Sequence, residues 1–234
     1  MYNNDDFEKE YNKIIDTYIE SEGLDDNPPN PFIPPQLRHS KLREEIKSQA
    51  QSKELSDYLN LALETLKTDG VCYVHNVDYE SMMNQFSEAN ENLNKVDINH
   101  PLEQNYRHIL HFSDSTMQSI FKIAQAEYSN NKFEESLSIF AFLSFLEPED
   151  PDYWYRFGVL AHQLKRYEAA LTSFTNSLSL DANFLEARIY TAYCHLKLGQ
   201  LGEAKDDLDK IHELADSSTI DPIWSKMISE LEAA

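Results

Sequence analysis

Three triplets at i, i+4 and i+7 spacing carry the most suggestive chemistry in this chain: Phe121, Gln125 and Tyr128, then Tyr155, Val159 and His162, then Ile189, Tyr193 and Leu196. On a helix such spacing places each triplet on one face. The set is largely apolar and aromatic, and aromatic side chains offer large contact area with a polar tip, which suits non-covalent capture of an extended peptide in side-chain pockets. For each residue taken singly, closing a contact between neighbouring helices remains the alternative. Bond-making chemistry finds no comparable set. The eight histidines are scattered. The close pairs Cys72 with His75 and His108 with His111 lack the further ligands of a zinc site. His162 and His195 lie within helical stretches, where a structural histidine is commoner than a base, and no glycine-rich phosphate loop or nucleophile motif occurs. The reading is therefore no catalytic residue, no metal, no cofactor and no enzyme.

The elements that carry these triplets repeat. Phe133, Tyr167 and Leu201 recur at a 34-residue interval, as do Ser136, Ala170 and Ala204, then Phe140, Phe174 and Leu208, and finally Ala124, Gly158 and Ala192. Small residues where two helices touch, flanked by large apolar ones at this period, are the pattern of tetratricopeptide helix-turn-helix repeats. The second unit matches best, through Trp154, Phe157, Gly158, Tyr167, Ala170 and Phe174. The first replaces the usual alanine with Ser136. The third is degenerate, with Arg188 and Thr191 where Trp154 and Phe157 stand and Asp216 where Pro148 stands. Thr219 to Leu231 reads as a capping helix for the last repeat. Asp150-Pro151 predicts a helix start, while Asn130-Asn131 and Leu198-Gly199 predict turns with left-handed residues. Lys165-Arg166 departs from the glycine preference and predicts a tighter or more strained turn.

Ahead of the repeats, Phe7, Tyr11, Ile14, Ile15, Tyr18 and Ile19 predict a short amphipathic helix, ended by the prolines of Asn27 to Pro35. Lys41 to Leu66 reads as helical, with Leu55, Leu59, Ala62, Leu63 and Leu66 on one stripe that needs cover from a second copy or from the array itself. Val71 to Val77 is β-prone and unassigned. Helix returns toward Tyr106, Ile109 and Leu110. The expected fold is all-α: three tetratricopeptide repeats and a C-terminal capping helix, preceded by a helical N-terminal extension. The expected domains are residues 1–35, an N-terminal helix and proline-rich arm; 36–115, the helical extension; and 116–234, the repeat domain.

Composition narrows the function further. An apolar content of 41% in 234 residues supplies a core, and five glycines with few alternating runs argue against sheet. The net charge of −21 repels phosphate backbones and anionic lipid, so nucleic-acid and membrane-surface roles are excluded as expectations. No stretch reaches the roughly 20 apolar residues that cross a bilayer, and the acidic start lacks signal-peptide features. Cys72 and Cys194 form no disulfide framework and fit a reducing compartment. A cytoplasmic protein is expected.

The inward positions also speak against one known use of such repeats. Arrays that grip the C-terminal carboxylate of a heat-shock chaperone place Lys, Asn and Arg there, whereas this chain has Phe, Tyr, Val and Ile; an internal apolar segment is the expected ligand. Residues Ile120 to Ala204 resemble the class II chaperones of bacterial type III secretion, which hold pore-forming translocator proteins before export. The resemblance rests on Ile120 to Ala124, Tyr128, Lys132 to Ser136, Ile139-Phe140, Leu143, Phe145-Leu146 and Gly199 to Ala204. It implies binding of translocator segments in the concave groove, with Phe121, Tyr128, Tyr155 and Tyr193 lining pockets, and a homodimer through N-terminal helices. The long extension departs from that family. Pro28 to Pro35 is a candidate for folding over the groove. A tetratricopeptide scaffold linking soluble cytosolic proteins is the other function compatible with these residues.

Overall fold

The computed structural model describes residues 15, 53–89, 105–215 and 221–232, and among them there is helix and no strand. The proline-rich arm, the helix predicted over Phe7 to Ile19 apart from Ile15, and Asp216 lie outside these residues. Residues from Tyr58 onward form one compact unit. Its elements are α1 (53–68), α2 (Gly70–Tyr73), α3 (Asn76–Ala89), α4 (Tyr106–Ile109), α5 (Asp114–Ser129), α6 (Phe133–Leu146), α7 (Pro151–Gln163), α8 (Tyr167–Leu180), α9 (Leu185–Lys197), α10 (Leu201–Ala215) and α11 (Pro222–Glu232). The β-prone run from Val71 is thus helical where its residues are placed in α2 and α3. Among the described residues no helix is long and apolar enough to cross a membrane.

The helix pairs α5/α6, α7/α8 and α9/α10 are the three tetratricopeptide repeats, each pair packed on the next, with α11 against α9 and α10. Their boundaries follow from local chemistry. Ser113 caps α5 by accepting the Thr116 N–H at 3.2 Å, and Asp150 caps α7 by accepting the Asp152 N–H at 2.8 Å, with Pro151 opening the helix. The turns inside the three repeats are the same turn. Asn131, Lys165 and Gly199 all take positive φ, at 61°, 62° and 75°. In each, the following N–H reaches back five residues: Lys132 to the Glu127 carbonyl at 3.0 Å, Arg166 to Ala161 at 2.8 Å and Gln200 to His195 at 2.8 Å. This is the Schellman pattern. The Lys165 connection is therefore no tighter than its counterparts; its strain lies in a lysine holding a glycine-favoured conformation.

Ser136 explains itself through the same accounting of polar groups. It is fully buried, and its hydroxyl donates to the Ala124 carbonyl of the partner helix at 2.9 Å. In the third repeat, Arg188 donates to the nearly buried Asp207 at 3.1 Å, and His195 lies 3.6 Å from the same carboxylate. Burial pushes the Asp207 carboxyl up, and His195 and Arg188 oppose that. An ion cluster thus occupies the region of the repeat where Arg188 replaces a tryptophan.

Residues 58–89 and 105–112 pack on the first repeat. Helix α6 is buried from Ser136 to Ser144 and again at Leu146, so it has no solvent face over that stretch. Phe86 of α3 lies against Phe142 of α6, with ring centroids 6.0 Å apart, and Tyr106 of α4 stacks on Phe145 at 4.2 Å. Ala62 and Leu66 of α1 join the same core as the repeats. Polar contacts fix the seam: Gln85 exchanges hydrogen bonds with Ser113 at 2.9 and 3.0 Å, and Lys132 bridges Asp69 at 2.6 Å. The stripe on α1 is covered by the chain itself at Ala62 and Leu66, while Leu63 remains 43% exposed.

Candidate functional site

The first helices of the first two repeats, α5 and α7, carry two clefts. Between α5 and α7 lies a cleft of about 360 Å³ lined by Gln125, Tyr128, Ser129, Phe140, Tyr155, Arg156, Val159 and Leu160. Gln125 also lines an adjoining cleft of about 530 Å³. That second cleft has Met117, Phe121 and Tyr153 among its apolar residues, with Arg107, Lys122, Asp114, Glu147, Asp150 and Asp152 among its charged ones. Arg107 bridges Asp114 and Glu147. Burial, together with the charges of Glu147 and Asp150, pushes the Tyr153 phenol up to about 12.

The predicted residues divide into three groups. Phe121, Gln125, Tyr128, Tyr155 and Val159 line the two clefts. Phe121 stands edge-on to Phe140 at 5.8 Å, and the Arg156 guanidinium lies 4.9 Å over the Phe121 ring while bonding Asp152 at 2.6 Å. Tyr128 is 43% exposed and leans on Phe133. Tyr155 is half-buried against Phe184, with centroids 4.8 Å apart, and burial raises its phenol well above the usual range.

His162 and Tyr193 form the second group, beside the first. His162 is edge-on to Tyr167, Tyr190 and Tyr193 at 5.6, 5.3 and 5.5 Å. Burial, and then the Lys197 charge, lower its pKa below the usual 6.5, so the imidazole is neutral at neutral pH. Its Nε2 is buried without a hydrogen-bond partner. Lys197 Nζ sits 5.3 Å from the Tyr193 centroid.

Ile189 stands apart. It is fully buried in a second core cluster with Ala192, Ile211, Ile228 and Leu231. Helix α11 brings Ile228 and Leu231 onto that side of α9, and Ile189 faces its own chain. The ring that joins the groove aromatics from α9 is its neighbour Tyr190, 6.1 Å from Tyr155 and stacked on Phe174 at 5.3 Å. Phe140 and Arg156 line the first cleft and are passed over by the triplet spacing. Among the described residues no group of three or more His, Cys, Asp or Glu could hold a metal ion. Cys194 is buried, which pushes its thiol up to about 12.

Comparison with known proteins follows the same lines. The tetratricopeptide repeat family matches residues 121–183. Low calcium response locus protein H of Yersinia pestis is 25% identical over 122 residues, spanning 52% of this chain and 73% of that protein. Its counterpart in Yersinia pseudotuberculosis matches equally, at 25% over the same length. Among solved structures, the type III secretion translocator chaperone SycD of Yersinia enterocolitica superposes with a TM-score of 0.51 at 22% identity, over 56% of this chain and 98% of SycD. Over the described residues the chain has an all-α tetratricopeptide-repeat fold, similar in structure to the translocator chaperone SycD and in sequence to the Yersinia low-calcium-response proteins.

Proposed function

We propose that this protein is a cytoplasmic bacterial chaperone that binds and masks apolar segments of pore-forming translocator proteins before type III secretion. The observation that carries the reading is the pair of adjoining clefts on α5 and α7, lined in their apolar part by Met117, Phe121, Tyr128, Tyr155 and Val159. An apolar segment bound there is withdrawn from water and from other copies of itself, which keeps a membrane-inserting client soluble. Likeness in sequence to the Yersinia low-calcium-response proteins supports the assignment. The protein binds and transforms nothing, and its −21 charge keeps it away from nucleic acid and anionic lipid. A homodimer through the N-terminal region belongs to the same reading, and light scattering on the purified chain tests it.

Co-expression with a translocator that is insoluble alone tests the function. The intact chain retains the client in the soluble fraction, and Tyr128→Glu with Tyr155→Glu loses it. Recovery from cell extract of soluble proteins alone, without secreted chains bearing long apolar segments, would sink the proposal and leave a scaffold that links cytosolic partners.

A further inference from the structure

We propose that a proton fastens the helices preceding the repeats to the first repeat: Glu127 closes this seam as a neutral carboxylic acid beside Asp69 and Lys132, and eases it on ionising as pH rises.

Helix α5 is shared between two surroundings. Gln125 and Tyr128 line a cleft. Ile123, Glu127 and Asn130, at i, i+4 and i+7, turn instead to α2 and the turn before it. A methyl group on Gly70 would lie 3.1 Å from Ile123 Cδ1, and Asn130 Nδ2 donates to the Tyr73 hydroxyl at 3.2 Å. Lys132 Nζ, from the turn that follows α5, donates to Asp69 Oδ2 at 2.6 Å.

Glu127 is the group this seam leaves unsettled. Its side chain is wholly buried, and neither carboxylate oxygen has a hydrogen-bond partner. The cation beside it is Lys132, 3.4 Å from Oε2 and already bonded to Asp69. One ammonium thus faces two carboxylates. Asp69 stands at the N-cap of α2 without capping it, so its carboxylate is left to Lys132. A buried carboxylate that accepts no hydrogen bond is costly, and a proton removes that cost. Protonated, Glu127 donates to the Asp69 carboxylate, which Lys132 keeps charged.

The charged and titratable groups at the seam act on Glu127 in known directions. Burial pushes its carboxyl up, Lys132 opposes this and Asp69 adds to it, while the Lys132 bond holds Asp69 down. Tyr73 of α2 is engaged by Asn130. The folded chain therefore holds the Glu127 proton more tightly than the unfolded chain does. The stability this contributes is full below the unfolded value near 4.5 and is lost as pH rises through the folded one. Asp69 has the opposite sign, and its contribution is lost only as pH falls below its unfolded 3.8. Ionisation of Glu127 loosens α2 from the last turns of α5, which also carry Tyr128 of the cleft.

Amide exchange read by mass spectrometry on the full chain tests the latch, with Glu127→Gln as a copy of the neutral acid that keeps its shape and a donor. Residues 61–73 should open about tenfold more often in the wild type than in the variant at pH 8, and equally often at pH 5. Comparing the two chains at each pH cancels the intrinsic pH dependence of exchange and the titration of His162. Lys132→Met should increase opening at pH 8 in the wild-type background, and much less with Glu127→Gln in place. A ratio of wild type to Glu127→Gln that stays constant with pH, a Glu127→Gln chain that opens more at pH 8, or an equal effect of Lys132→Met in both backgrounds overturns the proposal and makes Glu127 an ionised partner of Lys132.

Discussion

The ring of Phe174 lies against the bare Cα of Gly158, so close that a methyl group there would fall 2.6 Å from Phe174 Cε1 and 2.8 Å from Cδ1. Both residues are buried, at the contact between α7 and α8. Gly158→Ala should therefore lose about 1–3 kcal/mol by overpacking, although an ordinary helix interior would gain roughly 1 kcal/mol from the same change. Urea denaturation reads the sign directly. Adding Phe174→Leu should recover part of the loss, because the two sites share one space.

The three repeat turns offer a second test. Lys165→Gly should stabilise the fold by about 0.5–1 kcal/mol, since glycine adopts the observed positive φ without the Cβ penalty. Gly199→Ala should lose a similar amount. A Lys165→Gly variant that melts below the wild type would show that the lysine side chain contributes more than its backbone strain removes.

His162 makes stability depend on pH in a stated direction. Its pKa is lowered in the folded state by burial and by Lys197, so the unfolded chain takes up its proton first as pH falls. The stability it contributes is present above the unfolded value near 6.5 and is lost as pH drops through the folded value. His162→Phe should flatten this part of the profile. Melting temperatures of both chains between pH 8 and pH 5 give the comparison, and parallel curves would rule out His162 as the cause.

Phe86 tests the cover over the first repeat. Its ring stands 5.1 Å from Phe112 and 6.0 Å from Phe142 of α6. Phe86→Ala should lose about 2–3 kcal/mol and raise binding of a hydrophobic dye, as α6 becomes accessible. Loss of stability without added dye binding would place the damage in α3 alone.

Much of this architecture was legible because tetratricopeptide chemistry is local. The 34-residue series, the Asp150-Pro151 start and the Asn131 and Gly199 turns each depend on residues within one helix pair, and the structure has them as read. Two features depended on distant chain. Helical spacing fixes a face of α9 but not its neighbours: α11 covers Ile189, and Tyr190 lies between Tyr155 and Trp224 of α11. Likewise Val71 to Val77 is β-prone by composition, yet Gly70 packs against Ile123 and Tyr79, and the run forms helix on either side of a break at Val74 and His75. A clue to the covering of the first repeat was present in Ile139 to Leu146, where Ser144 is the one polar residue and neighbours are needed all round.

That covering makes the two ends of the array unequal in cooperativity. A stack of repeats with only neighbour contacts frays from both ends, each terminal unit opening at little expense. Here α6 is held between its own repeat and the helices before it, while α10 and α11 have repeat contacts on one side only. Opening therefore begins at the C-terminal end. Amide exchange should be slowest in α6 and fastest in α11, so the last repeat unravels and reforms while the groove between α5 and α7 keeps its shape.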